Sequence, residues 1–508
     1  MRTKNAVKNM KINFIFYFIS ILFTFILRSI FVSSLGGNIV GFNGLVNNLL
    51  GFLNIAELGV ATAITYALYK PLNENDYKSI NEIMVLFKFY YERIGKVIFG
   101  LGIILSFFLG IFIKNQIPMA HVVVYYYLLL FNSCISYFFT YKQALIIADQ
   151  KQYIITIVTN VNKILKIILQ IIMLLFIKSY LLWIVLEVFF NLSGLIIISK
   201  KADMLYPNIK FIGKQNIEII KKKNKNIIES IKNVFFHKIS TFIVFQTDGI
   251  LISLFLSLTQ NAIYSNYMMV INNFTTLLST VMNGMKASIG NLIAENNNKK
   301  NYEIFKQLQL IDCIIALIVS FVFYKVINSF IVIWVGEEYL FNNAIVFVLT
   351  LNLYIQITRG TVDRFKESYG IFWDVWAPIV EGSINLVVSI ILINKIGVIG
   401  LFIGTFISNV VIVIMWKPYV LYRYGFNKKV HEYFSYMIYI LFLQLMVLIL
   451  SNYFSDYILR SIILNSNLLI KFLISAIINF IIVICITFCV FIINSEFRKL
   501  IKTRILKK

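Results

Sequence analysis

Residues 12–33 read INFIFYFISILFTFILRSIFVS, and this stretch contains a single charged side chain, Arg28. An α-helix rises about 1.5 Å per residue, so the run is long enough to cross the roughly 30 Å hydrocarbon layer of a bilayer. Comparable apolar runs recur as far as residue 494, and about fourteen of them can be separated. The pattern predicts an all-α polytopic membrane protein with about fourteen transmembrane helices.

The composition of the whole chain agrees with this interpretation. Hydrophobic residues make up 59% of the 508 residues and charged residues only 14%, which is more apolar surface than a water-soluble core can hide. The net charge of +24 could indicate nucleic-acid binding, but the Lys and Arg residues lie in short segments between apolar runs and not on one basic face. We therefore expect no nucleic-acid partner.

Neither cysteine nor histidine forms a pattern typical of a metal site or a disulfide framework. The four cysteines fall inside or at the edge of apolar runs, and the three histidines lie far apart near the ends of runs. We expect no metal and no cofactor.

The distribution of basic residues predicts the orientation in the membrane. Most of the 47 Lys and Arg residues fall on one side if the N-terminus is cytoplasmic, as the positive-inside rule requires. An even number of spans then places the basic C-terminal tail on the cytoplasmic side too. The predicted location is a bacterial cytoplasmic membrane, crossed many times, with both termini cytoplasmic.

A weak internal repeat divides the chain. Residues 42–86 resemble residues 264–308, at an offset of 222 (264 − 42), with an Asn-rich helix that ends in a polar segment in both copies. Six spans per half give both copies the same orientation, which predicts a parallel repeat. The predicted organisation is a six-helix bundle at 1–205, a basic cytoplasmic linker at 206–235, a second bundle at 236–425, and two extra helices with a basic tail at 426–508.

Several short motifs carry a family resemblance. They are Arg28–Phe31, Gly41–Leu45, Ala56–Ala61, Leu68–Leu72, Ser136–Phe138, Ile146–Lys151, Thr247–Gly249 and Tyr264–Tyr267. In these motifs and in the predicted fourteen spans, the chain resembles the Wzx-type polysaccharide flippases of the multidrug/oligosaccharidyl-lipid/polysaccharide exporter superfamily. The resemblance implies a MATE-like fold of two bundles and a transporter, not an enzyme.

The resemblance also implies a cargo and partners. The cargo would be an undecaprenyl-pyrophosphate-linked oligosaccharide repeat unit, moved from the cytoplasmic to the outer leaflet by alternating access and coupled to H⁺ or Na⁺. Membrane lipids surround the protein, and a polysaccharide polymerase of an O-antigen or capsule pathway would take over the cargo outside. Such a cargo combines an anionic pyrophosphate, a polar saccharide and an apolar tail.

Basic residues within or next to spans are the candidate substrate contacts. Arg28 could bind pyrophosphate with its planar guanidinium, or reach the outer interface. Lys163 and Lys166 lie three residues apart and share a helix face; they could line the cavity, or meet water or a carboxylate of another helix. Arg359 and Arg364 are candidates for a cytoplasmic substrate vestibule, with topogenic charge as the alternative.

Two carboxylates are the candidates for ion coupling. Glu57 falls in the second predicted span and Asp248 in the seventh, one in each predicted bundle. A carboxylate that gains and loses H⁺ or Na⁺ can link ion flow to a conformational change. The alternative is a salt bridge of either residue with Arg28 or with the lysine pair. Glu187 and Glu381 are weaker candidates because exposure at a helix end would explain them.

Three other functions remain open. A multidrug exporter of the same superfamily usually has an acidic pocket, whereas basic residues within spans favour an anionic cargo. A lipid II flippase also has a basic cavity, and charge does not separate it from a repeat-unit flippase. A polysaccharide polymerase would need a sizeable outer loop or a soluble domain, and the segments predicted to face outward are short.

Overall fold

The computed structural model describes residues 2–57, 60–209, 217–225, 227–229, 231, 247–283, 285–462 and 467–504. Within these ranges the chain forms helices and turns, with no β-strand. Ten of the described helices are long and apolar enough to cross a membrane. The protein is therefore an all-helical, polytopic membrane protein, and the count of fourteen spans stays a prediction.

The chain divides into two compact units, Met1–Ser265 and Asn266–Lys508. The first contains α1 (Arg2–Leu53), a 3-10 turn (Asn54–Glu57), α2 (Val60–Glu74), α3 (Tyr77–Ser106), α4 (Leu109–Ile113), α5 (Met119–Phe139), α6 (Gln143–Ala148), α7 (Gln152–Phe176), α8 (Tyr180–Leu205), α9 (Ile217–Lys223) and the start of α10 (Leu258–Asn283). The unit boundary falls within α10.

The second unit continues with α11 (Lys286–Ala294), α12 (Asn298–Val335), α13 (Asn343–Ser368), α14 (Trp376–Ile396), α15 (Val398–Ser408), α16 (Lys417–Val420), α17 (His431–Ile462), α18 (Leu468–Phe491) and α19 (Ser495–Arg504). Two π-helical stretches, Asn409–Trp416 and Leu421–Phe426, flank α16.

Glycines shape the first unit at two places. Gly36 has a φ of +77° and interrupts α1, after the end of the first predicted span at residue 33. Glycine adopts this backbone region at little cost. At Gly41 an added Cβ would lie 1.8 Å from the carbonyl oxygen of Leu258. The Asn261 side chain also donates to the Gly41 carbonyl at 3.0 Å. The close approach of α1 and α10 therefore depends on the absence of a side chain at Gly41.

Helices α5 and α7, with the helices they pack on, form the frame that holds the candidate site. In the first unit α7 packs on α1 and on α8, and α5 packs on α3 and α8.

Asp76 caps the start of α3 by accepting hydrogen bonds from the backbone of Lys78 and Ser79. The Ser79 hydroxyl also donates to Asp76, and these bonds lower the pKa of its carboxyl group.

In the second unit α12 is the central helix and packs on α13 and α18. Its buried Leu310, Cys313 and Leu317 join residues of α17 and α18 in one apolar cluster. A second cluster, around Phe305 and Phe365, lies nearer the start of α12. The last two long helices are thus integral to the core of this unit.

The predicted division into bundles at 1–205, 206–235, 236–425 and 426–508, and the parallel repeat, remain predictions. Residues 236–246 of the predicted seventh span, 236–258, lie outside the described residues, which resume at residue 247.

Candidate membrane-embedded substrate site

The first unit contains a polar cavity of about 320 Å³ between α7 and α8. We call it the Lys163 cavity. It is lined by Gln143, Thr159, Asn162, Lys163, Lys166, Glu187, Phe190, Asn191, Gly194, Leu195 and Ile198. Lys163 lies near the middle of α7, and both helices are candidate spans. The cavity therefore places polar and charged groups well inside an apolar segment. Burying such groups in a membrane costs free energy unless they have partners, and residues of this kind often mark a functional site.

Lys166 has a partner in this cavity. Its ammonium group lies 2.6 Å from Oε1 of Glu187 on α8, and both side chains are only 17% and 22% exposed. The buried Gln170 donates to Oε2 of Glu187 at 3.2 Å and to the Trp183 carbonyl at 3.1 Å. Both oxygens of Glu187 are thereby engaged, which fixes the carboxylate toward α7.

Lys163 leaves the cavity with an excess of positive charge. It precedes Lys166 by three residues, so both ammonium groups lie on one face of α7. In the part of the chain that the structure describes, no carboxylate comes within 4.0 Å of Lys163. The charged lining consists of two ammonium groups and one carboxylate. Such an arrangement favours an anion as ligand.

Amide and hydroxyl side chains hold α7 and α8 together around the cavity. Asn162 donates to the Val158 carbonyl at 2.9 Å and accepts from the Ser193 hydroxyl at 3.0 Å. Asn191 donates to Asn132 of α5 at 2.8 Å. These bonds join α8 to α7 and to α5 and so help to define one arrangement of the cavity walls.

Arg28 lies elsewhere in the first unit. Its Nη2 donates to the Ser265 hydroxyl at 2.6 Å, and its side chain is partly exposed. Among the described residues it does not line the Lys163 cavity. The structure therefore brings Lys163 and Lys166 together, as the sequence predicts, but does not place Arg28 with them.

The two predicted coupling carboxylates have hydrogen-bond partners in the first unit. Glu57 accepts from the Tyr91 hydroxyl at 2.5 Å. Asp248 is 8% exposed and accepts from the Tyr264 hydroxyl at a long 3.4 Å. The carboxylate paired with Lys166 is Glu187, which the sequence ranks as a weaker candidate. The sequence does contain a signal for this residue, because Glu187 is the sole acidic residue in the predicted span between residues 180 and 199.

In the second unit Arg359 belongs to a charge network. Its Nε donates to Asp363 at 2.9 Å and its Nη1 lies 3.5 Å from Glu381. Lys417 binds the other oxygen of Asp363 at 2.9 Å. Two cations and two anions balance here, with the Arg359 side chain 25% exposed.

Arg364 forms a separate and deeper cluster. Its Nη2 donates to Asp312 at 2.8 Å and to the Thr361 hydroxyl at 2.8 Å, and that hydroxyl donates to Asp312 at 2.7 Å. The Arg364 and Asp312 side chains are only 7% and 2% exposed. Sequence reasoning did not single out Asp312, although it is the sole acidic residue between 307 and 329.

No group of three or more His, Cys, Asp or Glu side chains that could hold a metal ion occurs among the described residues. All four cysteines are free, with Cys134 and Cys313 buried and Cys485 and Cys489 exposed.

The fold is that of known transporters. No protein-family profile matches the chain, and no curated protein matches it. Among solved structures it is similar to the lipid II flippase MurJ in an inward closed conformation, with 14% identity, a TM-score of 0.66, and coverage of 94% of this chain and 98% of MurJ.

Two multidrug transporters also match. An inward-facing multidrug resistance MATE family transporter of the MOP superfamily has 15% identity, a TM-score of 0.59, and coverage of 78% of this chain and 93% of that one. A variant of the Vibrio cholerae MATE transporter VcmN has 14% identity, a TM-score of 0.52, and coverage of 84% and 99%. These structures are transporters, not enzymes. The chain thus shares the fold of MurJ and of these MATE transporters.

Proposed function

We propose that the protein is a flippase that moves an undecaprenyl-pyrophosphate-linked oligosaccharide from the cytoplasmic to the outer leaflet by alternating access. The fold shared with MurJ and with MATE transporters supports a transporter. The choice of cargo rests on one observation. The Lys163 cavity carries two ammonium groups against one carboxylate inside candidate spans.

The geometry supports a simple binding step. A pyrophosphate group has several anionic oxygens, so it can accept from Lys163 and Lys166 at once, and charge-assisted hydrogen bonds of this kind are the strong ones. Lys166 must then exchange Glu187 for the cargo. The released carboxylate would be a buried charge without its partner, which favours uptake of H⁺ or Na⁺. Cargo binding and ion binding would be linked through this exchange.

Glu57 and Asp248 remain the proposed sites of ion coupling, and Glu187 joins them. Each is a carboxylate in the first unit that contacts a group it can exchange: a tyrosine hydroxyl for Glu57 and Asp248, and the Lys166 ammonium group for Glu187. A carboxylate that changes its charge state can bias a conformational equilibrium only if the two states bind the ion differently.

Arg28, Arg359 and Arg364 remain proposed substrate contacts at other stages of transport. Arg28 keeps part of its side chain exposed. Of the two arginines on α13, Arg359 is the better candidate because its side chain is 25% exposed, whereas that of Arg364 is 7% exposed and pairs with Asp312.

The proposed setting is a bacterial cytoplasmic membrane with both termini cytoplasmic. The oligosaccharide would belong to an envelope polysaccharide such as O-antigen or capsule, and a polymerase would be the partner that receives it. A lipid II flippase is the main alternative, since lipid II combines the same chemical groups and the MurJ structure shares the fold. A multidrug exporter shares the fold as well, but an excess of cations does not suit cationic drugs.

A binding experiment tests the proposal. Undecaprenyl pyrophosphate is titrated into the purified full-length protein, and lipid-bound protein is counted by native mass spectrometry. We expect Lys163→Gln to weaken binding by roughly 10- to 100-fold, the range of one charge-assisted hydrogen bond. Lys163→Arg should retain most of the affinity.

The matched control is Lys70→Gln, which removes one exposed lysine elsewhere in the first unit. Equal affinity of wild type and Lys163→Gln would contradict the proposed site. Preference of the wild-type protein for a lipophilic cationic drug over undecaprenyl pyrophosphate would instead favour the multidrug exporter.

A further inference from the structure

The C-terminal helix α19 has a basic face that no proposed transport step uses. It begins directly after α18, and Asn494 caps it by accepting from the backbone N–H groups of Glu496 at 2.9 Å and Phe497 at 3.1 Å. Asn494 is itself buried. The chain therefore makes a defined corner here and does not continue as a loose tail.

The helix is anchored to the second unit on its other side. Glu496 is 7% exposed and pairs with Lys306 of α12 at 3.4 Å and with Lys499 at 3.2 Å. Phe497 and Leu500 pack against the apolar cluster that α12, α17 and α18 share. The apolar face of α19 is thus covered by protein, and membrane lipid is not needed to cover it.

Ring contacts place the start of α19 beside the end of the candidate span formed by α18. The Phe497 ring lies 5.8 Å from that of Phe488 and 6.1 Å from that of Phe491, at the end of the candidate span Leu468–Phe491. Phe488 is 47% exposed, as a side chain that faces lipid would be. It precedes the end of the span by three residues, or about 4.5 Å of helix rise. The start of α19 therefore lies beside the end of a candidate span, where the headgroup region is expected.

Arg498, Lys499 and Lys502 are exposed basic residues of this helix, and we call them the C-terminal basic face. Two exposed apolar side chains, Ile492 and Ile493, lie at the corner just before them. Basic side chains at headgroup level beside apolar ones are complementary to an anionic phospholipid, since phosphodiester oxygens accept from Lys and Arg while the acyl chains meet the apolar corner.

We propose that the C-terminal basic face binds the phosphodiester headgroup of anionic phospholipids and so fixes the end of the second unit at the membrane surface. This site is separate from the cargo site of the proposed function and does not depend on it. The sequence alone explains these residues as topogenic charge. The buried Glu496 pair and the Asn494 cap add a fixed geometry, which a purely topogenic tail does not require.

The test is lipid binding by the full-length protein in detergent. Phosphatidylglycerol and phosphatidylcholine with identical acyl chains are titrated separately, and bound lipid is counted by native mass spectrometry. The wild type should prefer phosphatidylglycerol. Each basic residue near a headgroup contributes about fivefold in affinity, so Arg498→Gln/Lys499→Gln/Lys502→Gln should lower that preference by roughly 100-fold.

The matched control is Lys70→Gln/Lys78→Gln/Lys222→Gln, which removes three exposed lysines from the first unit and should bind as the wild type does. A charge-retaining variant, Arg498→Lys/Lys499→Arg/Lys502→Arg, should also keep the preference. Unchanged phosphatidylglycerol binding in the glutamine variant, or an equal loss in the control, would overturn the proposal.

A measurement on the wild type remains decisive if the glutamine variant fails to fold. Raising the ionic strength from about 0.05 M to about 0.5 M shortens the screening length severalfold. Phosphatidylglycerol binding should then weaken while phosphatidylcholine binding stays constant. Salt-independent binding of phosphatidylglycerol would also overturn the proposal.

Discussion

Glu187 and Lys163 should affect cargo binding in opposite directions, although both line the same cavity. Glu187→Gln keeps a hydrogen-bonding side chain beside Lys166 but removes the negative charge that competes with an anion. We expect this variant to bind undecaprenyl pyrophosphate roughly tenfold more tightly. Lys163→Gln should bind it more weakly. Native mass spectrometry at a series of lipid concentrations measures both.

The same two variants separate the exchange mechanism from a purely structural ion pair. If Glu187 only holds α8 against α7, its replacement should lower stability and weaken binding as Lys163→Gln does. A parallel loss of affinity in both variants would thus contradict the exchange of Glu187 for cargo. The thermal unfolding temperature of each variant, measured in the same detergent, provides the control for misfolding.

The buried pair of Arg364 and Asp312 should matter for stability. Asp312→Asn leaves a guanidinium with 7% exposure and no charged partner, and breaking such a pair by removing one side costs about 3 kcal/mol or more. Reversible unfolding in mixed micelles measures this loss. The double variant Asp312→Asn/Arg364→Gln should lose less than the sum of the single variants, by roughly 1–3 kcal/mol. Strict additivity would mean that the pair is not coupled.

The sequence predicts some of the contacts in the candidate site and leaves others open. The spacing of Lys163 and Lys166 places both on one face of a helix, and in the structure both line one cavity. Their role as substrate contacts stays a prediction. The partner of Lys166 could not be predicted, because contacts between α7 and α8 depend on how the two helices are rotated. The same holds for Arg364 and Asp312, which lie 52 residues apart in the sequence.

The contact between α1 and α10 should depend on Gly41. Gly41→Ala places a methyl group 1.8 Å from a backbone oxygen, which a side-chain rotation cannot relieve, so the helices must separate. We expect a loss of about 2–3 kcal/mol in the free energy of unfolding. Gly100→Ala on α3 is the control, since nothing lies within 4 Å of its added Cβ. Alanine there should stabilise the helix slightly. Equal stability of the two variants would contradict the close approach.

Individual helices were largely predictable because a run of apolar residues longer than 18 has few alternatives to a membrane-spanning helix. The break between the first two spans follows from the glycines near residue 36. Two features of the elements were not visible in the sequence. One is the pair of π-helical stretches around α16, which depends on packing. The other is the corner at Asn494, where a polar residue after an apolar run could equally have begun a disordered tail.

The topology of the whole molecule can be tested with single cysteines. Cys485 and Cys489 are exposed and must first be replaced by alanine, whereas Cys134 and Cys313 are buried. Lys222→Cys and Tyr453→Cys then place one thiol each at exposed positions. A membrane-impermeant maleimide added to intact cells should label residue 453 and should label residue 222 only after permeabilisation. Labelling of both positions from one side would contradict the predicted orientation.

The central claim is that the protein carries an anionic lipid-linked saccharide across the membrane through the Lys163 cavity. The most direct measurement reconstitutes the protein into vesicles that contain a fluorescent undecaprenyl-pyrophosphate-linked saccharide. A membrane-impermeant reductant then destroys the fluorophores in the outer leaflet. The account predicts that wild type and Lys70→Gln expose nearly all the fluorophore with time, whereas Lys163→Gln does so at least about tenfold more slowly. Equal rates for wild type and Lys163→Gln, or no movement above protein-free vesicles, would contradict it.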